Sequence, residues 1–177
     1  MGKGLPSPEE AFKILKETGC SLDVIKHCEA VARLAVQIAE KCLSNGVAVD
    51  VQLVHIGAIL HDIGRSKTHK VHHAIVGAEI ARSLGLPEEI VSIIERHVGG
   101  GITSDEAIKL GWLNKNYMPE TIEEKIVSYA DKLIEGSKII SIEETIERFR
   151  KELGADHPAI ERIMNLHREI SALCKRQ

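Results

Sequence analysis

A histidine and an aspartate stand side by side where an apolar stretch of the chain ends. They are His61 and Asp62, within the run ILHDIGR at residues 59–65. Burying a charged side chain costs free energy unless the charge is paired or coordinates a metal ion. A metal ion is therefore the predicted partner of this pair, provided that further ligands occur elsewhere. Such residues do occur on other predicted helices: His27, His73, His97 and Asp131.

These candidate ligands lie on the core-facing sides of their predicted helices. His27 and His97 are flanked by branched aliphatic residues at intervals of three, four and seven, and Asp131 lies between Val127 and Ile134. Such spacing places a side chain on the face of a helix that packs into the core. Imidazole and carboxylate ligands without a pair of thiolates suit Fe, Mn, Ni, Co or Zn better than a structural zinc site of the cysteine type.

Two adjacent histidines compete for one position in this set. His73 is preferred over His72, since Gly77 and Ala81 continue its face at four-residue spacing and a glycine lets another helix approach closely. The remaining histidines have no matching partners and are predicted to be ordinary core or surface residues: His55, His157 and His167.

A basic segment follows the His-Asp pair directly. Residues 65–73 contain two histidines beyond the candidate ligand, one arginine and two lysines, but no acidic residue. Cationic side chains bind phosphate oxygens through charge-assisted hydrogen bonds. The candidate substrate-binding residues are therefore Arg65, Lys67 and His69, with a solvated surface as the alternative for His69. Arg65 is also expected to neutralise phosphate charge during catalysis.

Composition bounds the class of protein and its partners. Of the 177 residues, 44% are hydrophobic but only 3% are aromatic, which suits a core of packed aliphatic helices. A net charge of -3 argues against a general nucleic-acid binder. The four cysteines form no CxxC pair, which favours a reducing, cytoplasmic compartment. No apolar run reaches the roughly 18 residues that a membrane span requires.

Helical periodicity and capping signals account for nearly the whole chain. Ser/Thr-x-x-Glu capping boxes begin helices at Ser7, Thr103, Thr121 and Ser141. The predicted helices cover residues 7–19, 21–44, 51–62, 72–84, 87–98, 103–110, 121–135 and 141–174, with a new helix starting at Pro158. No strand-like alternation is visible. The sequence therefore predicts an all-α orthogonal bundle that forms one domain over residues 1–177; a small strand pair stays open.

The order of the ligands resembles the H…HD…D signature of the HD superfamily of metal-dependent phosphohydrolases, in its HDIG form: His27, then His61 and Asp62, then Asp131. The resemblance covers roughly residues 22–136. The added His73 and His97 are similar to those of the two-metal branch of the family. The resemblance implies one divalent ion held by the signature residues and a second held by His73 and His97, with Asp62 bridging the two.

The resemblance implies hydrolysis of a phosphoester or phosphoanhydride in a nucleotide-like small molecule by a metal-activated water. Asp62 and Arg65 would be the catalytic residues. Two rivals use the same ligands, a di-iron oxygenase and a non-catalytic nucleotide-sensing module. The basic segment favours phosphate over oxygen chemistry, and the intact ligand set argues against sensing. The C-terminal helices pack on the core or on a second copy of the chain, so a homo-oligomer stays open.

One departure from a related branch narrows the substrate. Cyclic-dinucleotide phosphodiesterases of the HD-GYP type carry a Gly-Tyr-Pro signature after this point, whereas here residues 98–101 read VGGG. Cyclic di-GMP is therefore not the expected substrate. The irregular segment 99–119 is expected to shape the substrate pocket.

Overall fold

Nine α-helices and one short hairpin make up residues 4–175, the part of the chain that the computed structural model describes. The helices are α1 Pro8–Glu17, α2 Leu22–Ser44, α3 Val51–Leu60, α4 His73–Ser83, α5 Glu88–Arg96, α6 Ser104–Lys109, α7 Ile122–Lys132, α8 Ile142–Leu153 and α9 Pro158–Lys175. Two 3-10 turns, Ile63–Ser66 and Val98–Gly100, and the strands β1 Ile134–Glu135 and β2 Lys138–Ile139 complete the fold. The predicted all-α class is confirmed.

The core forms around the longest helix. Helix α2 packs against α3 and α7, and α3 also contacts α1 and α5. Their facing side chains are almost all Ile, Val, Leu and Ala, as the scarcity of aromatic residues predicted. Burying one large aliphatic side chain contributes about 1.5–3 kcal/mol to the free energy of unfolding. Because this layer buries many of them, it fixes the positions of the helix ends around the site described below.

The four predicted capping boxes are all present. At Ser7, Thr103, Thr121 and Ser141, the hydroxyl accepts a hydrogen bond from the backbone N–H three residues later. The glutamate at that later position accepts one in return from the N–H of the cap residue. Each box satisfies two backbone donors that a helix start leaves unpaired, which is why these four starts were readable from local sequence.

Two predicted helices end earlier than expected. Helix α3 stops at Leu60, not at Asp62, so that the His-Asp pair lies in the turn before the 3-10 segment. Helix α7 stops at Lys132 and the chain then forms an antiparallel hairpin instead of continuing to residue 135. Gly136 sits at the hairpin turn with φ of 61°, a left-handed conformation that only glycine adopts without strain.

Gly64 lets the backbone of α4 approach the turn that carries the His-Asp pair. A Cβ at this position would lie 1.9 Å from the carbonyl oxygen of His73 and 2.7 Å from the backbone nitrogen of Gly77. Both neighbours are backbone atoms that cannot rotate away. The absence of a side chain at Gly64 is therefore what brings the first turn of α4 against residues 61–64.

Gly64→Ala is expected to destabilise the protein, because the added methyl group forces α4 away from the turn. Overpacking of a tight contact typically costs about 1–3 kcal/mol, which lowers the melting temperature by roughly 2–10 °C in a chain of this length. Thermal unfolding followed by circular dichroism measures the change. Gly4→Ala is the matched control, because a Cβ there would meet no atom within 4 Å. Equal melting temperatures for the two variants would contradict the close approach.

Candidate metal centre

Six side chains from five separate segments converge at one end of the bundle. Four of them, on α3–α5 and the adjoining turns, are buried, and the other two are partly buried. Helix α2 supplies one histidine, the turn after α3 supplies the His-Asp pair, the start of α4 and the end of α5 each supply a histidine, and α7 supplies an aspartate: His27, His61, Asp62, His73, His97 and Asp131. The structure thus brings together every metal ligand that the sequence predicted.

All four imidazoles are fixed in the same way, by a hydrogen bond from Nδ1 to a backbone carbonyl. The Nδ1–O distances are 2.7 Å from His27 to Gly136, 2.7 Å from His61 to Ala58, 2.8 Å from His73 to Lys70 and 2.6 Å from His97 to Ile94. A carbonyl oxygen only accepts, so Nδ1 carries the proton in each ring. In a neutral ring the lone pair is then on Nε2, on the side that faces the cluster. Such an outer hydrogen bond is typical of metal-binding histidines.

One half of the cluster is formed by the imidazoles of His27 and His61. Their Nε2 atoms lie 3.0 and 3.4 Å from Oδ1 of Asp131. The same two Nε2 atoms each lie 3.7 Å from Oδ2 of Asp62. Ligand atoms from both histidines and from Asp131 fall within 4.8 Å of one another. Two nitrogens and two carboxylate oxygens therefore surround a single point, as the ligands of one cation do.

The other half of the cluster uses the second oxygen of Asp62. Its Oδ1 lies 3.0 Å from Nε2 of His73 and 3.3 Å from Nε2 of His97. The two Nε2 atoms are themselves 3.0 Å apart. Two nitrogen lone pairs at that distance repel each other unless a proton or a cation lies near both. Asp62 therefore offers one oxygen to each half, and it would bridge two cations if one were bound in each half.

Unsatisfied polar atoms give a direct test of whether the residues fit a metal. Within the described residues, His61 Nε2 and Asp62 Oδ1 are buried without a hydrogen-bond partner. Leaving such an atom unsatisfied costs about 1–3 kcal/mol, more if it is charged. A divalent cation in each half would satisfy both atoms. The donor set of nitrogens and oxygens suits Fe, Mn, Co, Ni or Zn, so the residues fit the predicted cofactor.

The protonation states also suit a cation. Burial lowers the pKa of His97 to about 4, which leaves its ring neutral at neutral pH. Burial opposes ionisation of Asp62 and Asp131. The charge of His61 outweighs this effect at Asp62, and the charge of Lys132 outweighs it at Asp131, so the pKa of each carboxyl lies well below its usual range. Burial likewise opposes a charged His61, yet Asp62 raises the pKa of His61. The carboxylates thus stabilise positive charge next to His61. A bound metal ion would supply this charge in place of the proton that His61 releases.

Arg65 contacts the cluster as well as the space in front of it. Its Nε donates to Oδ2 of Asp62 at 2.6 Å, and its NH1 group donates to the carbonyl oxygen of His69 at 3.3 Å. The side chain is 30% exposed and lines the adjoining pocket. Arg65 therefore orients the bridging carboxylate and still has donors available to a bound ligand.

The other candidates from the basic segment lie outside the cluster. His72 is exposed and packs edge-on against Trp112, whereas its neighbour His73 is buried in the cluster. The side chains of Lys67 and His69 are exposed and do not line the pocket in the part of the chain that the structure describes. Substrate binding by Lys67 and His69 stays a prediction, and it would require a substrate that extends beyond the pocket.

A pocket of about 500 Å³ opens in front of His73 and His97. Its walls include part of segment 99–119 and residues of α8 and α9, and the shaping of a substrate pocket by that segment stays a prediction. Its larger aliphatic and aromatic lining residues are Val71, Val98, Ile102, Leu110, Phe149 and Leu153, and charged side chains line most of the rest together with three histidines. Its volume is in the range of pockets that bind small molecules, and its exposed wall surface is mainly apolar although charged side chains of both signs line it.

Several charged residues of this pocket were not found by reading the sequence. Lys109, Lys132, Arg162 and His157 line it. Lys132 also forms an ion pair with Asp131. Its position directly after a predicted ligand is a sequence signal that could have identified Lys132 as a residue of the site. His157, predicted to be ordinary, is brought to the pocket by the loop before α9. His167, which the sequence also predicted to be an ordinary residue, shares a hydrogen bond of 2.7 Å with the hydroxyl of Tyr129, away from the cluster.

A match to a known family covers the segment that carries all six candidate ligands. The family model described as HD domain matches residues 24–136. This chain belongs to the HD domain family. The matched range agrees with the range of about 22–136 over which the ligand order resembled the family signature.

Relatives of this HD domain protein differ in length and in name. An uncharacterized protein of Methanocaldococcus jannaschii is 50% identical over 167 residues, which are 94% of this chain and 98% of that protein. The tRNA (cytidine(56)-2'-O)-methyltransferase of Picrophilus torridus is 43% identical over 98% of this chain but only 49% of that enzyme. Ribonuclease Y of Acidothermus cellulolyticus is 30% identical over 88% of this chain and 29% of that protein. The chain therefore spans about half or less of the two longer relatives.

Solved structures share the fold of this HD domain protein. The HD domain of the phosphodiesterase PgpH of L. monocytogenes superposes with a TM-score of 0.52 over 92% of this chain and 96% of that domain, at 20% identity. The same domain has been solved in complex with cyclic-di-AMP, again with a TM-score of 0.52. At this identity the likeness shows the fold alone. Among residues 4–175, no helix is both long enough and apolar enough to cross a membrane.

Proposed function

We propose that this HD domain protein is a metal-dependent phosphohydrolase that cleaves a phosphoester or phosphoanhydride of a nucleotide-like small molecule. The observation that carries the proposal is the position of Asp62, whose two oxygens face separate histidine pairs. Such a carboxylate would hold two divalent ions, one with each histidine pair. When bound, the ions would supply an activated water and stabilise the attacking and leaving oxygens of a phosphoryl displacement.

The residues of the chain have distinct tasks in this proposal. The backbone carbonyls that accept from Nδ1 hold the four rings with Nε2 inward, so the ligands need little reorganisation. Arg65 keeps Asp62 in its bridging orientation and presents its remaining N–H groups to the phosphate. The buried setting of His61 and His97 limits access of bulk water, so these charge interactions act at low dielectric.

The adjoining pocket supports a nucleotide over a smaller phosphoester. Its apolar side, with Ile102, Leu110 and Phe149, offers surfaces for a planar base, and its lysine Lys109 suits negative charge. The arginine of this pocket, Arg162, is already paired with Glu106 at 2.9 Å. The names of relatives agree with this class, because Ribonuclease Y and the phosphodiesterase PgpH carry names of enzymes that act on nucleotide phosphodiesters. We assign no methyl transfer to this chain, since it spans only half of the methyltransferases and its site is built from metal ligands.

The wider setting is also proposed. We infer a cytoplasmic protein, which agrees with the four free cysteines in the described residues: Cys20, Cys28, Cys42 and Cys174. Residues 1–177 are proposed to form a single HD domain, which the packing of α9 against α7 and α2 supports. The expected partner is a phosphorylated small molecule, and a homo-oligomer through α8 and α9 is left open.

The test is hydrolysis by the purified protein loaded in turn with Mn, Co, Ni or Fe. We expect turnover of p-nitrophenyl phosphate or bis(p-nitrophenyl) phosphate that disappears with a chelator and returns with the metal. A metal-replete protein that is inert against monoesters, diesters and nucleotide polyphosphates would refute the proposal. Oxygen consumption by the iron-loaded protein in such an inert sample would favour the di-iron oxygenase that shares these ligands.

Arg65→Ala is expected to lower kcat/KM by roughly 10²-fold, because a charge-assisted contact to the phosphate that strengthens in the transition state is worth about 2–4 kcal/mol. Metal content is expected to stay near that of the wild type, since this variant retains all six candidate metal ligands. Steady-state kinetics and metal analysis on one preparation measure both. Arg33→Ala is the control, because Arg33 is exposed on α2 and does not line the pocket described above. Equal kinetics for the two variants would return Arg65 to a purely structural role.

A further inference from the structure

The last turns of two helices that are far apart in sequence meet at a pair of cysteines. Cys42 belongs to the end of α2 and Cys174 to the end of α9, and their Sγ atoms lie 3.5 Å apart. The two positions are separated by 132 residues in the chain, and both thiols are free. A disulfide bond requires about 2 Å between its sulfurs, so the two side chains need only a small adjustment to reach bonding distance.

Other contacts hold the two helix ends together around this pair. The side-chain amide of Asn45, the residue that caps α2, donates to the carbonyl oxygen of Leu173 at 3.1 Å. The side chain of Leu173 packs against the main core. The Sγ atom of Cys174 also lies 3.9 Å from the carbonyl oxygen of Ile38, to which it donates weakly. These contacts fix both backbones, so the two sulfurs are neighbours because of the fold and not because of one side-chain rotamer.

The two thiols differ in exposure, which assigns them different roles. Cys174 is partly exposed, whereas Cys42 is fully buried. Burial raises the pKa of the Cys42 thiol to about 12, and the neighbouring Cys174 acts in the same direction. The thiolate is the reactive form, so Cys42 is a poor first nucleophile at neutral pH. A small oxidant therefore reacts with Cys174 first, and Cys42 follows from inside the protein.

We propose that Cys42 and Cys174 form a reversible disulfide that links α9 to α2 when the protein encounters a low-molecular-weight disulfide. The Cys174 thiolate attacks one sulfur of this oxidant, which releases one small thiol and leaves a mixed disulfide on Cys174. The Cys42 sulfur then attacks the Cys174 sulfur, loses its proton and releases the second small thiol. Two electrons and two protons pass in total from the protein to the small disulfide, and an excess of small thiol reverses both steps.

The bond would act on a helix that reaches the metal centre at its other end. Helix α9 packs against α7 and against the turn Val98–Gly100, which follows His97. Near its start, Ala159 and Arg162 line the pocket of about 500 Å³. The last turn of a helix has unpaired carbonyls and opens most easily, so a covalent link there suppresses fraying. A link between residues this far apart also restricts the unfolded chain strongly.

The first test incubates the purified protein with glutathione disulfide and then maps its thiols by mass spectrometry. We expect the protein to lose the mass of two hydrogen atoms and to yield one linked pair of peptides, which contain Cys42 and Cys174. Dithiothreitol should restore the original mass. A mixed disulfide that persists on Cys174 while Cys42 can still be alkylated would overturn the inference. A link to Cys20, to Cys28 or to a second chain would overturn it as well.

The second test measures what the link does to the fold. The linked protein is expected to melt roughly 5–15 °C above the reduced protein, because the closed loop is long. Hydrogen exchange at the last turn of α9 should become slower at the same time. Equal melting temperatures and equal exchange for the linked and reduced protein would show that the bond does not restrain α9.

Two variants assign the effect to this pair. Cys174→Ser keeps a small polar side chain on the partly exposed position but cannot form the bond, so glutathione disulfide should leave its melting temperature unchanged. Cys20→Ala is the matched control, because the Sγ atom of Cys20 donates to the carbonyl oxygen of Ile63, away from the pair. It should keep the full rise in melting temperature. A rise that persists in Cys174→Ser would contradict the proposal.

The inference does not depend on the proposed hydrolysis, since none of these measurements uses turnover or bound metal. A protein that forms the link but is inert on every phosphoester refutes the phosphohydrolase and leaves the disulfide intact. An active hydrolase whose Cys42 and Cys174 stay free in excess glutathione disulfide refutes the disulfide alone.

Discussion

Asp62→Ala is expected to empty both metal positions and to abolish hydrolysis. The two oxygens of Asp62 face the two histidine pairs at 3.0–3.7 Å, so one substitution removes a ligand from each half. It also takes away the buried negative charge that the cluster uses to hold cations. Loss of a single stabilising donor costs about 10²–10³ in rate, and loss of a shared ligand should cost at least the upper value. Metal per chain by plasma mass spectrometry and hydrolysis of p-nitrophenyl phosphate measure the two effects.

Two further variants make this result interpretable. Asp62→Asn keeps the shape of the side chain but removes its charge, so a similar loss of metal would assign the effect to charge and not to a cavity. Asp105→Ala removes an exposed aspartate of α6 and is expected to keep wild-type metal content. Full metal content in folded Asp62→Ala would show that Asp62 is not a bridging ligand.

The convergence of the candidate ligands was predictable from sequence because their positions obey local rules. His27 and Asp131 follow the spacing of buried residues on their own helices, and His73 is followed by a glycine at the interval where another backbone approaches. The structure shows why that glycine is required, because a Cβ on Gly77 would lie 2.8 Å from a side-chain carbon of Ile94. Helical periodicity and capping chemistry are short-range, so they need no knowledge of the tertiary fold.

The surroundings of the ligands were not predictable, because they depend on contacts between residues far apart in sequence. The carbonyl that orients His27 belongs to Gly136, in a hairpin that the helical pattern of α7 concealed. Phe149 and Arg148 reach the site from α8, whose sequence shows only an ordinary amphipathic helix. The position of the basic segment relative to the site was not predictable either: its exposed lysine Lys67 lies outside the pockets that the described residues form, and substrate binding by Lys67 stays a prediction.

His97→Ala is expected to lower bound metal from about two ions per chain to about one. His97 Nε2 lies 3.3 Å from Oδ1 of Asp62 and 3.0 Å from Nε2 of His73, whereas His27 and Asp131 belong to the other half. The ion in that other half therefore keeps its ligands. Activity should fall by roughly 10²–10³-fold, because one of the two charges that stabilise the displaced oxygens is lost. Metal analysis and kinetics on the same preparation give both numbers.

His72→Ala is the matched control for this experiment, since it removes an imidazole that precedes a ligand but lies on the surface against Trp112. It should retain two ions and wild-type turnover. His73→Ala should reproduce His97→Ala, because both rings face the same oxygen of Asp62. Should His97→Ala instead keep the metal content and the activity of the wild type, the two-metal arrangement is wrong. A single ion held by the remaining cluster would then be the better account: His27, His61, Asp62 and Asp131.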